Sequence, residues 1–366
     1  MITLEGLWKV QKEEKFMKKK LFGSDADGRE GFLYTIGNTK GLQVSVTDYG
    51  ATIVSIMALD RTGKETDVIF GYDSLEEYLK GDSYFGATVG RNCNRIAGAA
   101  FSIDNETYRL EQNDNENNLH SGSHGVSLRF WDLKECTDNS LTLEIEDADL
   151  EQGFPGNARI RVSFTVTEEN ELVIEYRAVS DKKTVFNFTN HAYFNLNGAG
   201  SGTAMEHVLS LRASHYTPLI SSHAIPTGEL AEVEGTPFDF REPKTIGRDI
   251  GAEDEQLKFV GGYDHNFALD RTSEGMEEAA VAIGPESGIR MTVSTDCPGI
   301  QLYTANFTDC KRGKKGKEYH GRDAFCLETQ YFPNSVNEPG FATPITEAEE
   351  EYCSRTIYKF DVLEGN

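Results

Sequence analysis

The chain has 366 residues, with 60 acidic against 36 basic side chains and a formal charge of −24, which repels phosphate backbones and anionic lipid surfaces and excludes both as natural partners. A content of 21 Phe and 15 Tyr excludes a disordered chain, and no run approaches the roughly 18–20 apolar residues that span a bilayer. Six scattered cysteines (Cys93, Cys136, Cys297, Cys310, Cys326 and Cys353) include no Cys-x-x-Cys pair and read as reduced thiols of a cytoplasmic protein.

Residues 1–20 lack the apolar stretch of a secretory signal. They read as a flexible leader, in which Met17 is as eligible a start as Met1. From there to residue 366 period-two alternation dominates. Leu42, Val44 and Val46 face one way, and Tyr49-Gly-Ala51 breaks the chain before a second strand over Ile53–Leu59. The one helical signal is Ser74 to Lys80, with the capping-box spacing of Ser74 to Glu77. Leu141, Leu143 and Ile145 alternate with polar residues, as do Ile160, Val162, Phe164 and Val166. The Glu169-Asn170 turn then leads into Leu172–Val179, which makes a hairpin. Further strands follow at Ile289–Val293, Ile300–Thr304 and Thr356–Val362. No fixed repeat and no Pro/Ser-rich linker divides residues 21–366. The expectation is all-β: one large antiparallel β-sandwich.

Polar clusters interrupt this pattern at six places. Gly90-Arg-Asn-Cys-Asn-Arg-Ile96 supplies a dense set of donors, either toward a ligand or toward water on a surface loop. Asn117-Asn-Leu-His-Ser-Gly122 carries His120; His124 lies four residues on, but the Gly and Ser between them rule out a helical zinc pair. In Asn187-Phe-Thr-Asn-His-Ala-Tyr-Phe-Asn195, a strand would put Asn187, Thr189, His191, Tyr193 and Asn195 on one face and Phe186, Phe188 and Phe194 on the other. Gly261-Gly-Tyr-Asp-His-Asn-Phe267 and Pro298-Gly-Ile-Gln-Leu-Tyr303 follow. The last is Phe325-Cys-Leu-Glu-Thr-Gln-Tyr-Phe-Pro333, where Cys326, Glu328 and Gln330 share a strand face. Glu328 is there a lone carboxylate among apolar neighbours, with Arg95 as the opposing charge that would keep it ionised. Lys311–Lys317 reads as a solvated basic loop, with an anion contact as the alternative, and Glu347–Glu351 as a solvated acidic turn.

Taken in order, these segments, together with Thr236-Pro-Phe-Asp-Phe240, resemble the aldose 1-epimerase (galactose mutarotase) family from about Leu21 to Phe360. The departures are small: Cys93, Ser121 and Ala192 stand where the family usually has Ala, Gly and Ser. The resemblance implies a galactose mutarotase-like supersandwich with an open sugar cleft, and neither metal nor cofactor. It implies Glu328 as general base and His191 as general acid, with Asn94, Arg95, His120, Asp264, Gln301 and Tyr193 binding the sugar. The expected partner is a free aldohexose such as glucose or galactose, and the expected assembly a monomer or weak homodimer. Three alternatives stand beside it. A glycoside hydrolase would pair Glu328 with Asp264, a non-catalytic sugar-binding module would need no acid/base pair, and a mutarotase of phosphorylated hexoses would need cations at the cleft.

Overall fold

The computed structural model describes residues 18–81 and 83–363. Most of the assigned leader lies outside the described residues; its last part, Lys18–Lys20, opens the first strand. Three sheets organise the molecule, and every strand pair within them is antiparallel. The first is a five-stranded meander of Lys18–Ser24, Glu30–Gly37, Gln43–Thr47, Thr52–Leu59 and Glu65–Asp67. The second has nine strands in the order Asp132–Cys136, Ser140–Asp147, Ala158–Val166, Glu171–Ser180, Tyr352–Val362, Ile289–Thr295, Glu277–Ile283, Val208–Leu211 and Lys244–Thr245. The third is ordered Ala231–Glu232, His215–Tyr216, Asp264–Ala268, Gly299–Tyr303 and Cys326–Gln330.

The alternation read from the sequence sets the sheet faces. Leu42, Val44, Val46, Ile53 and Ile56 from the first sheet pack in one core with Leu141, Leu143, Ile160, Val162, Phe164, Leu172 and Ile174 from the second. Each such side chain taken from water contributes roughly 1.5–3 kcal/mol, so this shared face sets the register. The hairpin over residues 158–180 forms as expected, and Tyr352–Val362 docks at its edge to join the N- and C-terminal parts of the nine-stranded sheet. The third sheet is two-faced. Phe267, Ile300, Leu302 and Leu327 point into the core, so the residues alternating with them point away from it.

The one helix expected from sequence spans Leu75–Lys80, with Ser74 at its N-cap. Neither backbone bond of the capping box is made. The Ser74 hydroxyl bonds the Glu77 carboxylate, and Glu77 reaches back to the amide of Asp73. A second helix, Glu255–Val260, was not anticipated. Asp254 caps it by accepting from the amides of Gln256 and Leu257, and Gly261 ends it with φ 70°. Gly262 follows at φ 149°, where a Cβ would meet the Asn306 side-chain amide oxygen Oδ1 at 2.4 Å. The two glycines turn the chain sharply so that Asp264 begins the third sheet.

Arg91 belongs to the fold and not to a ligand site. Its side chain is 1% exposed, and its Nε bonds Asp147 at 2.5 Å. The guanidinium also donates to the carbonyls of Pro155, Asp147, Ala148 and Gly156. Arg91→Met is expected to destabilise the protein by about 3–5 kcal/mol, because it strands a buried carboxylate and several carbonyls. A urea titration checks this; a loss below about 1 kcal/mol would show that Arg129, the second partner of Asp147, carries the site alone.

Candidate active site

The outward face of the third sheet is built by its register. Asn266, Gln301 and Glu328 lie directly opposite one another, and Asp264, Tyr303 and Cys326 form the neighbouring row. Above this face is a cleft of about 220 Å³, lined by Asn94, Arg95, His120, His191, Tyr193, Asp264 and Glu328, together with Ser83, Tyr84, Leu119, Tyr303 and Phe307. That volume lies below the roughly 300–1,000 Å³ of pockets for drug-sized ligands and suits one small ring.

Glu328 is 2% exposed, and its Oε2 has no hydrogen-bond partner in the protein. Burial first, then the charge of Asp264, pushes its carboxyl well above the usual range, against the opposing charge of Arg95. Burial likewise pushes the His191 imidazole down to about 4. The two face each other, His191 Nε2 lying 3.7 Å from Glu328 Oε2. At that length the two groups face each other without a direct hydrogen bond. The other ring nitrogen, Nδ1, is 3.7 Å from the sulfur of Cys326. His191, Cys326 and Glu328 are also the one trio among the described residues whose donor atoms cluster closely enough to hold a metal ion. Because Cys326 and Glu328 approach different ring nitrogens, a single ion would have to break one of those contacts.

The segment carrying His191 is not the strand expected. Its regular strand is confined to Thr189–Asn190, paired with Thr88–Val89, with isolated bridges at Asn187 and Phe194, and the His191 amide bonds the Ala87 carbonyl. His191 and Tyr193 do share a side. Their rings stack at 5.0 Å and 14°, and Phe85 meets Tyr193 edge-on at 4.9 Å, contacts worth roughly 0.5–1.5 kcal/mol each beyond burial. Tyr193 therefore backs the histidine and fixes its plane.

His120 is fixed differently. Its Nδ1 accepts the Asn94 amide at 3.1 Å, and its own amide returns to the Asn94 carbonyl. With Nδ1 an acceptor, the neutral ring carries its proton on Nε2, and burial beside His191 and Arg95 keeps it neutral by lowering its pKa well below the ordinary value. Asn94 adopts φ 60° to make this exchange.

Arg95 corrects the sequence-based expectation. Its Nε bonds Asp114 at 2.7 Å and its Nη1 lies 3.9 Å from Asp264. No ion pair with Glu328 forms. Arg95 organises the Asp264 side of the cleft, and His191 is the basic group that lies within 4 Å of Glu328. Gln301 is likewise spent on protein, donating to Asp264 at 2.7 Å and accepting from Gln330 at 3.4 Å. It sits beneath Asp264 and does not line the cleft. Lys311–Lys317 is also not simply solvated. Lys314 is buried and bonds Asp67 and the Val54 carbonyl, Lys317 bonds the carbonyls of Ala199 and Gly200, and none of the segment reaches the cleft. Glu347 and Glu351 of the acidic turn pair with Lys183 and Arg177.

Sequence reasoning missed several lining residues. Tyr303 alternates with Gln301 on its strand and was legible by spacing. Tyr84 was not: it occupies a loop at φ 53°, 4.9 Å from the His120 ring and 6.1 Å from that of His191. Phe307 was also without signal, being 75% exposed at the rim.

The family described as Aldose 1-epimerase matches residues 33–359. Galactose mutarotase of Sus scrofa is 39% identical over 322 residues, covering 88% of this chain and 92% of its own. Aldose 1-epimerase of Escherichia coli K12 is 34% identical over 336 residues, covering 91% and 96%. Among solved structures, the GalM/aldose epimerase homologue from C. elegans superposes with a TM-score of 0.84 at 30% identity, covering 90% of this chain and 99% of its own. Galactose 1-epimerase from Lactobacillus acidophilus gives 0.81 at 28% identity, covering 94% and 98%.

Proposed function

Since the chain belongs to the aldose 1-epimerase family and is an isomerase interconverting the α and β anomers of aldoses, we propose that Glu328 and His191 carry the reaction on free aldohexoses such as glucose and galactose. The observation that carries this reading is the buried Glu328 Oε2, unpartnered and facing His191 Nε2. An unsatisfied buried carboxylate oxygen is costly, and a sugar hydroxyl in the cleft would satisfy it.

The chemistry follows from counting protons. Carboxylate with imidazolium, and carboxylic acid with neutral imidazole, differ only in where one proton sits. Ring opening converts the first form into the second. Glu328 takes the proton of the C1 hydroxyl, the bond from C1 to the ring oxygen breaks, and His191 protonates that oxygen. Rotation about C1–C2 followed by the reverse steps closes the other anomer. Burial favours the neutral form of the pair, whereas hydrogen-bond donors such as His120 Nε2–H and the sugar hydroxyls favour the ionic one. The two forms are thereby held close in energy, which is what a reversible proton exchange needs.

The pH dependence tests this directly. With Glu328 raised and His191 at about 4, the pair holds one proton from about pH 4 up to the raised carboxyl value. Below that window a second proton lands on His191 while Glu328 is already protonated, so no base remains. Above it the pair loses its only proton, so no acid remains. Polarimetry on freshly dissolved α-galactose, corrected for the spontaneous rate, is expected to give a kcat/KM flat through pH 6.5 with its acid limb near 4. A limb centred at 6.5, the ordinary histidine value, would contradict the shared-proton pair.

A second reading, a mutarotase of phosphorylated hexoses, loses its support because the Lys311–Lys317 cations do not line the cleft. Asp264 as the second carboxylate of a glycoside hydrolase is disfavoured by its engagement with Gln301 and Arg95. A cytoplasmic setting is supported by six free cysteines, and no helix among the described residues is long and apolar enough to cross a membrane. A monomer or weak homodimer remains the assembly proposed.

A further inference from the structure

The reaction as written leaves without a role the buried thiol that touches His191. Cys326 precedes Glu328 by two residues on the same strand and shares its face. Its sulfur lies 3.7 Å from His191 Nδ1, and Glu328 Oε2 lies 3.7 Å from Nε2 of the same ring. One strand thus presents a group to each ring nitrogen, in hydrogen-bond contact only at Nδ1, while Tyr193 stacks on the ring face. We propose that Cys326 is a positioning residue for the mutarotase reaction: its sulfur accepts the Nδ1–H of His191 and so reserves Nε2 as the nitrogen that gives and takes the proton. The inference rests on His191 being the acid.

The requirement comes from the proton cycle. His191 must carry a proton on Nε2 before ring opening and a bare lone pair there afterwards, and both states keep the hydrogen on Nδ1. A neutral imidazole with its hydrogen on Nε2 instead would face the carboxylic acid form of Glu328 with a second hydrogen, and closure could not return the proton. Something must therefore make Nδ1 the protonated position in the neutral ring. A carboxylate would do so, but would also stabilise the imidazolium and weaken it as an acid. A thiol is a weak, uncharged acceptor that selects the tautomer without adding charge. Burial next to Glu328 and Asp264 holds the Cys326 thiol well above its ordinary value, so it stays neutral and does not act as a nucleophile.

Cys326→Ala is expected to lower kcat about threefold to tenfold, the equivalent of one net hydrogen bond, with KM within about twofold. Cys326→Ser, which restores an acceptor, should recover most of the loss. Nitrogen-15 spectra of the His191 ring at neutral pH should show the Nδ1–H tautomer in the wild type and a mixture, or Nε2–H, in Cys326→Ala. A merely structural cysteine would move thermal stability in the alanine variant but leave the tautomer and kcat in place. That result, or a wild-type ring found in the Nε2–H form, would overturn the proposal. His191→Asn separates the two layers. Full turnover in that variant removes the acid assignment itself, whereas lost turnover beside an unaffected Cys326→Ala removes only the positioning role.

Discussion

Glu328→Gln is expected to lower kcat by about 10²–10⁴-fold, the usual contribution of a positioned general base, while the protein becomes no less stable. Glutamine keeps the shape and can still hydrogen-bond a sugar hydroxyl, so binding should change little, but an amide cannot take the C1 proton. The stability expectation comes from the same observation as the activity. Glu328 is buried with one oxygen unpartnered, and burial raises its carboxyl well above the ordinary value. Its folded-state pKa lies above the unfolded one, so the wild type loses stability as pH rises from the unfolded value through the folded one. Glutamine does not titrate and avoids that loss, so the variant's melting temperature at pH 8 should equal or exceed the wild type's. Polarimetry and thermal denaturation on one preparation check both halves. Turnover within about twofold of wild type would remove Glu328 from the mechanism.

His191→Asn is expected to lose a comparable factor of about 10²–10⁴ for a different reason. Asparagine offers a donor near the ring oxygen but cannot release a proton to it, so C1–oxygen cleavage would leave an unprotonated alkoxide. This variant should also be somewhat less stable, because the ring stacked on Tyr193 is lost. The acid limb near pH 4, which belongs to His191, should vanish from whatever enzyme-dependent rate remains. A near-normal rate with that limb intact would assign the acid to another group, His120 being the nearest candidate by ring contact.

Much of this was legible in the sequence where one physical rule acts alone. Alternation along Leu141–Ile145, Ile160–Val166 and Ile289–Val293 forces one face inward, and those strands fall where the pattern puts them. The same rule put Cys326, Glu328 and Gln330 on one side of their strand. It failed at His191, because the segment's polar face is buried like its apolar one and the chain leaves the ladder after Asn190, where local bonds to Gly86 and Ala87 take over. Partner choice was the other failure. Arg95 was matched to Glu328 because both were conspicuous, but Asp114, an unremarkable loop acid, takes its Nε. That change alters the proposed chemistry: no arginine forms an ion pair with the carboxylate, so the proposal rests on the proton that Glu328 and His191 would exchange through the sugar. Tyr84 and Phe307 line the cleft from loops whose positions depend on tertiary packing, and nothing local marks them.

The claim that Glu328 and His191 work as one unit is tested most directly by the double variant Glu328→Gln/His191→Asn, measured by polarimetry beside the two single variants on α-galactose. Groups that share a single proton transfer are strongly non-additive, so the double variant is expected to be no slower than the slower single variant, within about twofold. Losses that multiply would mean two independent contributions and would contradict the shared-proton account.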